Sequence, residues 1–288
     1  MFPHLTDVLG FVPGANEPCV FYHPERDLVI LVYVDDILAD GKEEDIRWFF
    51  DALATRFDCK EDEWLSPENP LDFLGIDISM DESAVYLSME SYIDRMLVSM
   101  NMQDFTPESV PIKADISDET PLCPRLRKEF MTGVGCLGWL VNTVRLDCAL
   151  AHSRIAQHMA KPNVGAWKAL KHCIKYLKGT KSACIHQPLF DRDSSHGWRF
   201  LCDSDDGSAA HNGGKAQKGF LAMVGNAPVT WTCKVHKCAA YAHEKLGTAH
   251  PDRSTGAHEV YAAGDAAQSM LHLRTPLNSR NLAGKSPV

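Results

Sequence analysis

The sequence lacks any hydrophobic run long enough to cross a lipid bilayer, because no stretch reaches the roughly 18 apolar residues that a spanning helix needs. Its first residues, MFPHLTDVLG, also lack the basic segment and the apolar core of a secretory signal peptide. We therefore expect no membrane partner, and a protein that resides inside the cell, in the cytoplasm or the nucleus.

The chain also lacks a disulfide pattern. Its 10 cysteines show no regular, paired spacing, which excludes the framework of a small secreted protein and favours reduced thiols. The densest group of potential zinc ligands fits no standard zinc spacing, so we expect no zinc site. That group consists of Cys233, His236, Cys238, His243, His250 and His258.

Positive charge is scarce as well. The 29 Lys and Arg residues are outnumbered by 38 Asp and Glu residues, which gives a formal net charge of −9 at pH 7. Because binding to nucleic-acid phosphates draws on clustered Lys and Arg, this balance excludes a general polyanion-binding protein and leaves room only for a local contact. What the 288 residues do contain is 45% hydrophobic side chains, enough for one large globular domain or two ordinary ones.

The amino-terminal part alternates predicted β-hairpins with predicted helices. The β-prone runs at residues 19–22 and 28–34 are separated by the polar stretch HPERD, which predicts a hairpin. Residues 43–58, EEDIRWFFDALATRFD, carry apolar side chains at helical spacing with acids early, which predicts a helix. A second hairpin is predicted from LDFLGIDISM and AVYLSME, with a turn near Asp81 and Glu82, and a helix follows over SYIDRMLVSMNM.

The carboxy-terminal part begins with a linker. Residues 106–124 contain four prolines and cannot form a regular element for long. Residues 127–162 are predicted to be largely helical. From about Trp198, strand-like runs and then the Ala-rich stretch EVYAAGDAAQSMLHL indicate a separate α/β unit that starts near Gly197.

A helix with one basic side is predicted over residues 164–181, VGAWKALKHCIKYLKGTK. Its five lysines recur at steps of three and four, while apolar residues fill another face. Such a row could contact the phosphates of a nucleic-acid duplex without reading its sequence, but the solvated face of an ordinary amphipathic helix explains the pattern equally well. The lysines are Lys168, Lys171, Lys175, Lys178 and Lys181.

Two adjacent acids, Asp35 and Asp36, interrupt one of the most apolar runs of the chain, LVILVYVDDILADG. Adjacent side chains of a strand point to opposite faces, whereas a turn lets both carboxylates gather around a cation. An unpaired buried carboxylate is costly, and a metal ion, an Arg or Lys partner, or exposure at a turn would each relieve that cost. On this pattern alone, exposure at a turn remains the simpler interpretation.

The string YVDD at residues 33–36, with apolar residues on both sides, resembles the Y-x-D-D signature of reverse transcriptases, in which the acids lie in a tight hairpin turn. Further stretches, in the same order, resemble blocks of the polymerase and ribonuclease H part of Ty1/copia-type retrotransposon Pol polyproteins. The resemblance runs from about Gly10 to Arg274, and its specificity comes from the ordered series. The stretches are GFVPGANEPCVFYHP, LDFLGIDI, VYLSMESYIDRML, GCLGWLVNTVRLDCALAHSRIAQHMAKPNVGAWKALKHCIKYLKGT and GNAPVTWTCK.

The resemblance implies an α/β fold of the α+β kind. Residues 1–105 would form the distal palm and thumb of a reverse transcriptase, residues 106–190 a linker and helical connection, and residues 191–288 an incomplete ribonuclease H-like domain. The implied activity is that of an RNA-directed DNA polymerase, which transfers nucleotides with the help of Mg²⁺ or Mn²⁺. The implied partners are an RNA or DNA template–primer duplex and deoxynucleotides, while the oligomeric state stays open.

The resemblance also implies roles for individual residues. Asp35 would be the principal ligand of the divalent cation, and Asp36 a second or indirect ligand. Tyr33 and Val34 would position the turn and touch the primer end. Four lysines of the basic row would bind the duplex; they are Lys168, Lys171, Lys175 and Lys178.

In the ribonuclease H-like part, two acids resemble metal ligands and catalytic residues of the family. Asp203 in CDSDDGS resembles the acid of the first strand, although Asp206 stands where the family usually has Trp. Glu259 in STGAHEVYAAGDAA resembles the acid carried by a helix, although Ala257 stands where the family usually has another Glu. The alternative is that Asp203 and Glu259 are solvated surface acids of a degenerate copy.

The family pattern is incomplete in this sequence. Only 32 residues precede Tyr33, so the acid of an earlier palm strand is missing, and the strand with the third ribonuclease H acid does not follow Arg274. We therefore expect a truncated segment that does not polymerise DNA by itself. The alternative from another class is a non-catalytic nucleic-acid-binding protein derived from the element. A third hypothesis, a small-molecule or metal-binding domain with YVDD by coincidence, is disfavoured by the ordered stretches.

Overall fold

A computed structural model of the chain describes residues 1–14, 17–113, 116–189, 200–207, 216–224 and 227–236. The chain divides into two compact units. Among these residues, the first unit contains 1–14 and 17–65, and the second contains the described residues from 66 to 236. Within the described ranges, no helix has both the length and the apolar character needed to cross a bilayer.

The first unit contains an antiparallel sheet of four strands that pair in the order in which they occur along the chain. One helix precedes the sheet and another follows it. The elements are α1 (Phe2–Asp7), β1 (Val12–Pro13), β2 (Val20–His23), β3 (Leu28–Tyr33), β4 (Asp36–Gly41) and α2 (Glu43–Ala54).

Alternation along β3 builds the core of this unit. Every second side chain, Leu28, Ile30 and Val32, is buried, as expected for a strand with one face toward the core. On α2, Phe49 and Leu53 lie one helical turn apart and belong to the same hydrophobic cluster. The sheet and α2 therefore share one apolar core.

The predicted hairpin and helix of this unit are confirmed by β2, β3 and α2. The sequence did not predict β4, because its residues DILADG are mixed in polarity and only half-buried. The acid pair consequently lies between two strands, and not between a strand and a helix.

The described part of the second unit contains two antiparallel sheets and a group of helices. One sheet has the order β5-β6-β7-β8 and the other β11-β10-β9. The first group of elements is β5 (Leu71–Phe73), β6 (Ile76–Met80), β7 (Ala84–Ser88), α3 (Glu90–Ser99) and α4 (Pro124–Thr143). The next are a 3₁₀ helix (Leu146–Cys148), α5 (Ala149–Ala156), α6 (Val164–Gly179), β8 (Ile185–Pro188), β9 (Phe200–Gly207), β10 (Ala216–Val224) and β11 (Ala227–His236).

The helices of the second unit pack around one hydrophobic cluster that includes side chains of α3, α4, α5 and α6. A Cβ atom at Gly133 of α4 would lie 2.8 Å from the Leu170 side chain and 2.9 Å from that of Met100. This glycine therefore permits the close approach of α4 to its neighbours. The predicted second hairpin and the predicted helices over 91–102, 127–162 and 164–181 are confirmed.

A buried arginine fixes the carboxy-terminal end of α6. The side chain of Arg145 is 1% exposed and donates to both carboxylate oxygens of Asp147, at 2.9 and 2.6 Å. It also donates to the Thr180 hydroxyl at 2.7 Å and the Thr180 carbonyl at 3.1 Å, while the Tyr176 hydroxyl donates to Asp147 at 2.9 Å. The guanidinium is thereby satisfied in spite of its burial.

Mixed helices and antiparallel sheets confirm the predicted α+β class. The finer assignments to a palm, a thumb and a ribonuclease H-like domain, and the boundaries at 105 and 190, stay predictions.

Candidate functional site

The acid pair lies at the tip of the β3–β4 hairpin. Val32 pairs with Ile37 and Tyr33 pairs with Asp36, which leaves Val34 and Asp35 as a two-residue loop. Of these two, only Val34 has a positive φ, at 56°. A positive φ at the first central residue alone is typical of a type II′ turn, which normally has glycine at that place. The turn is therefore tight and places both acids at its end.

Val34 makes this turn unusual. A β-branched side chain in the left-handed region clashes with its own backbone, and such positions store about 1–3 kcal/mol. The side chain gains little burial in return, because 75% of it remains exposed. Strain at an exposed tip has no packing benefit in the described residues of this unit, and positions of this kind concentrate at functional sites.

The side chains of Asp35 and Asp36 are both exposed. Among the described residues, neither carboxylate has an ion-pair or hydrogen-bond partner. Tyr33, which is 55% exposed, lies beside them. Carboxylate oxygens with free lone pairs are the hard ligands that Mg²⁺ accepts, usually one or two together with waters and substrate phosphates. The turn therefore fits part of a magnesium site.

The described residues contain no group of three or more His, Cys, Asp or Glu side chains arranged to hold a metal ion. The candidate metal site at the hairpin therefore has two carboxylate ligands from the described residues, those of Asp35 and Asp36.

In contrast to the tip, the base of the hairpin is held firmly. Arg26 binds Asp45 of α2 at 2.7 Å, and its guanidinium lies 3.9 Å from the centre of the Trp48 ring. A Cβ atom at Gly41 would lie 2.3 Å from the carbonyl oxygen of Asp27, so only glycine fits there. The two strands therefore present the turn from a rigid base.

The lysine row lies on α6, which begins at Asn163: the Asn163 side chain accepts a hydrogen bond from the Ala166 amide at 2.8 Å. Because α6 ends at Gly179, Lys181 lies beyond the helix. The other four lysines follow one side of α6 at the predicted spacing.

Most lysines of the row are engaged by the protein itself. Lys168 forms an ion pair with Asp118 at 3.0 Å, and Lys181 binds Asp94 at 2.9 Å. The hydrogen bond from Lys168 holds the pKa of Asp118 below its usual value, and the hydrogen bond to Asp94 raises the pKa of Lys181.

The remaining lysines contact aromatic rings or main-chain oxygens. Lys171 lies 5.4 Å from the centre of the Trp167 ring, and Lys175 lies 5.1 Å from that of Phe105. Lys178 donates to the carbonyl oxygens of Gln103 and Phe105. Sequence reasoning placed four of the five lysines correctly on one side of a helix but was wrong for Lys181, and it missed these partners.

The two acids of the ribonuclease H-like part are placed less fully. Asp203 lies in β9, where its backbone pairs with Leu221 of the neighbouring strand β10. Glu259 lies outside the described residues. Their roles as metal ligands stay predictions.

Comparison with known proteins gives relatives from one group of mobile elements. The chain is 26% identical to the retrovirus-related Pol polyprotein from transposon TNT 1-94 of Nicotiana tabacum, over 96% of this chain and 20% of that protein. It is 30% identical to the corresponding polyprotein from transposon RE2 of Arabidopsis thaliana, over 80% of this chain and 15% of that protein.

A third relative is an uncharacterized mitochondrial protein of Arabidopsis thaliana, 29% identical over 72% of this chain and 83% of that protein. No family model and no solved structure matches the chain.

The match to the polyproteins has two properties that matter for identity. It extends along most of this chain, and it is shared by relatives from a tobacco and an Arabidopsis transposon. The chain nevertheless spans only 20% and 15% of the length of those two polyproteins. The chain is therefore similar, over most of its length, to one segment of Ty1/copia-type retrotransposon Pol polyproteins, and the resemblance predicted from the sequence is confirmed.

Proposed function

We propose that this chain supplies the metal-binding hairpin of an RNA-directed DNA polymerase, with Asp35 and Asp36 as ligands of Mg²⁺ or Mn²⁺. The observation that carries the proposal is the pair of exposed, unpartnered carboxylates on a strained turn, held at the end of a buried strand. The similarity to Ty1/copia-type Pol polyproteins supports it, because the relatives' names describe retrovirus-related Pol proteins.

In this proposal the chain's residues position a primer and bind its phosphates through the metal. When bound, Mg²⁺ would supply Lewis-acid assistance to the primer hydroxyl and to the leaving oxygen of a deoxynucleotide. The carboxylates of Asp35 and Asp36 hold the cation at the tip of the hairpin, and the exposed ring of Tyr33 packs against the primer end. The tight turn fixes the backbone positions from which the two carboxylates would reach the cation.

We expect the chain alone to be inactive as a polymerase. A two-ion site needs more ligands than two neighbouring carboxylates provide. Other parts of a Pol polyprotein would have to supply the remaining acid and the nucleotide-binding surface. For the ribonuclease H-like region we propose only that Asp203 and Glu259 descend from metal ligands of that domain.

Metal binding at the turn can be tested without activity. Paramagnetic Mn²⁺ added to isotopically labelled protein should broaden the backbone NMR signals of residues 33–36 before others. A double variant, Asp35→Asn with Asp36→Asn, should lose this broadening. The control Asp51→Asn removes one charge from an exposed position of α2 and should keep it. Broadening that survives the double variant would place the cation elsewhere.

The polymerase proposal is tested by primer extension on an RNA template with Mg²⁺ or Mn²⁺. The chain alone should yield no extended primer. A fusion to the upstream segment of the tobacco relative's polyprotein should extend it, and Asp35→Asn in that fusion should abolish extension while Asp51→Asn leaves it unchanged. Extension that persists after Asp35→Asn would refute the proposed role of this carboxylate.

A second candidate function is binding of a nucleic-acid duplex through α6, without catalysis. The observation in its favour is the spacing of Lys168, Lys171, Lys175 and Lys178 along one side of that helix. If these side chains bind phosphates, the slope of log affinity against log salt should shrink by up to about one unit for each contact removed. A slope unchanged by replacing Lys168, Lys171 and Lys175 with Gln would reject this function.

A further inference from the structure

A segment of the same chain packs against the lysine row of α6. Residues 103–113, which we call the strap, contain no helix or strand and contact α6 through a series of side-chain and main-chain interactions. At one end of α6, Lys178 donates to the carbonyl oxygens of Gln103 and Phe105. An ammonium group has three donors, so two of those of Lys178 are already used.

The middle of the strap is fastened through Glu108. Its carboxylate lies 3.3 Å from His172 Nδ1 and 3.3 Å from Lys113 Nζ, and its amide donates to the carbonyl oxygen of Lys175 at 3.4 Å. The other nitrogen of His172, Nε2, lies 2.9 Å from the carbonyl oxygen of Val110. The strap thus places a carboxylate and several carbonyl oxygens beside the lysine row.

The strap also makes a close steric contact with the carboxy-terminal end of α6. A Cβ atom at Gly179, the last residue of α6, would lie 2.9 Å from the Cβ of Pro107 and 3.7 Å from the carbonyl oxygen of Glu108. Because the ring of Pro107 is fixed to the backbone, no side-chain rotation could make room for a larger residue. The glycine therefore lets the strap lie directly on the helix end.

Acids outside the strap bind two further lysines of the row. Asp118 holds Lys168, and Asp94 with Glu90 holds Lys181. Among the described residues, Lys171 contacts the Trp167 ring and has no carboxylate or carbonyl partner. Because Trp167 lies on α6 itself, a phosphate can reach Lys171 without displacing any part of the strap.

We infer that the strap is an autoinhibitory segment: its oxygens occupy the positions that duplex phosphates would take on α6, so a duplex binds fully only after the strap has left. This inference rests on duplex binding by α6, the second candidate function above. To bind a phosphate at full strength, Lys178 must release the carbonyl oxygens of Gln103 and Phe105, and Lys175 must leave the ring of Phe105. Duplex affinity is therefore set by competition between two ligands for the same ammonium groups.

The test uses the full chain, a fluorescein-labelled RNA–DNA duplex and fluorescence anisotropy over a range of salt concentrations. Two variants loosen the strap by different means. Glu108→Gln removes its carboxylate, and Gly179→Leu forces Pro107 away without any change of charge, while leucine suits a helix. The charge control is Glu129→Gln, which removes one carboxylate from an exposed ion pair with Arg125 on α4. Circular dichroism confirms that each variant folds.

We expect both strap variants to bind the duplex about two- to fivefold more tightly than the unmodified chain, the range for displacing one or two exposed ion pairs. Their salt slopes should be steeper by about one unit for each lysine set free. Glu129→Gln should match the unmodified chain. Lys171→Gln should weaken binding in every background, whereas Lys175→Gln should do so only when the strap is loose.

The outcomes separate the two ideas. If Lys171→Gln weakens binding but neither strap variant strengthens it, duplex binding by α6 stands and autoinhibition is overturned. If binding is absent, or indifferent to all the lysines in every background, duplex binding by α6 fails and the strap inference fails with it. A gain in Glu108→Gln alone, without one in Gly179→Leu, shows a simple charge effect and also overturns the strap.

Discussion

The hairpin tip and the lysine row differ in whether their charged side chains have partners within the protein. At the tip, Asp35 and Asp36 are exposed and have no partner among the described residues, although uncompensated neighbouring carboxylates repel one another. On α6, Lys168 and Lys178 are held by a carboxylate and by carbonyl oxygens of the chain. The comparison teaches that a row of like charges in a sequence does not by itself identify a binding surface. Unsatisfied charge on a rigid element is the better signal.

The same contrast extends to the interior of the second unit, where Arg145 and Asp147 form a fully partnered pair. There a charge stabilises the fold because its partners are fixed. At the hairpin tip, Asp35 and Asp36 form no described ion pair or hydrogen bond, so replacing them removes no stabilising contact. Stability measurements can therefore distinguish the two kinds of charge.

The largest effect is expected for Arg145→Met. The substitution removes a guanidinium that is 1% exposed, and it leaves Thr180 without its donor and Asp147 with only that of Tyr176. The free energy of unfolding should therefore fall by about 2–4 kcal/mol. Urea denaturation followed by circular dichroism measures it. The matched control is Arg125→Met, which breaks an exposed pair with Glu129 and should change stability by less than about 1 kcal/mol. Equal effects of the two variants would contradict the structural role of Arg145.

A smaller effect is expected from acid. Burial alone would raise the pKa of Asp147, but the hydrogen bonds and the charge of Arg145 outweigh burial and hold the pKa below its ordinary value of 3.8. Since the folded pKa is the lower one, this stabilisation is complete above pH 3.8 and is lost as the pH falls through the folded pKa. Urea midpoints between pH 7 and acid should therefore fall more steeply for the unmodified chain than for Asp147→Asn. Parallel pH profiles would contradict this assignment.

Val34→Gly should stabilise the first unit by about 1 kcal/mol, because glycine adopts a positive φ without strain while it adds freedom to the unfolded chain. The control Val98→Gly, at an exposed position of α3, should instead destabilise the protein by about 0.5 kcal/mol. Both changes are read from urea midpoints. A loss of stability in Val34→Gly would mean that the valine side chain is needed for the turn itself.

The smallest effect on stability is expected for the double variant Asp35→Asn with Asp36→Asn. Exposed side chains without partners change the free energy of unfolding by less than about 0.5 kcal/mol when they are replaced by an isosteric amide. The same urea measurement, made without divalent cations, checks this. A larger loss would show that these acids hold the hairpin together, and the contrast between the two sites would disappear.

Much of the local structure followed from the sequence. Helical spacing predicted α2, α3 and α6, and paired β-prone runs predicted β2 with β3 and β6 with β7. The strand β5 was missed because it has three residues and is defined by its turn, in which Leu74 and Gly75 both have positive φ. Short strands of this kind become recognisable only through their pairing.

One candidate site could be predicted from the sequence and the other could not. The position of Asp35 and Asp36 at a turn followed from a local motif. The strap could not be predicted, because Lys178 and Phe105 are separated by 73 residues and His172 and Val110 by 62. Pro107 and Pro111 disfavoured a regular element in the strap but contained no information about which surface the segment would contact.

The pairing of β7 with β8 limits how the second unit can be divided. Leu87 pairs with Ile185, so the first sheet is completed by a strand that the ribosome makes almost a hundred residues later. Such long-range pairing slows folding, and it leaves the edge of β7 open until synthesis has passed Pro188. Fragments for expression should therefore keep residues 71–188 together, since a chain stopped earlier would present an unpaired strand edge to its neighbours.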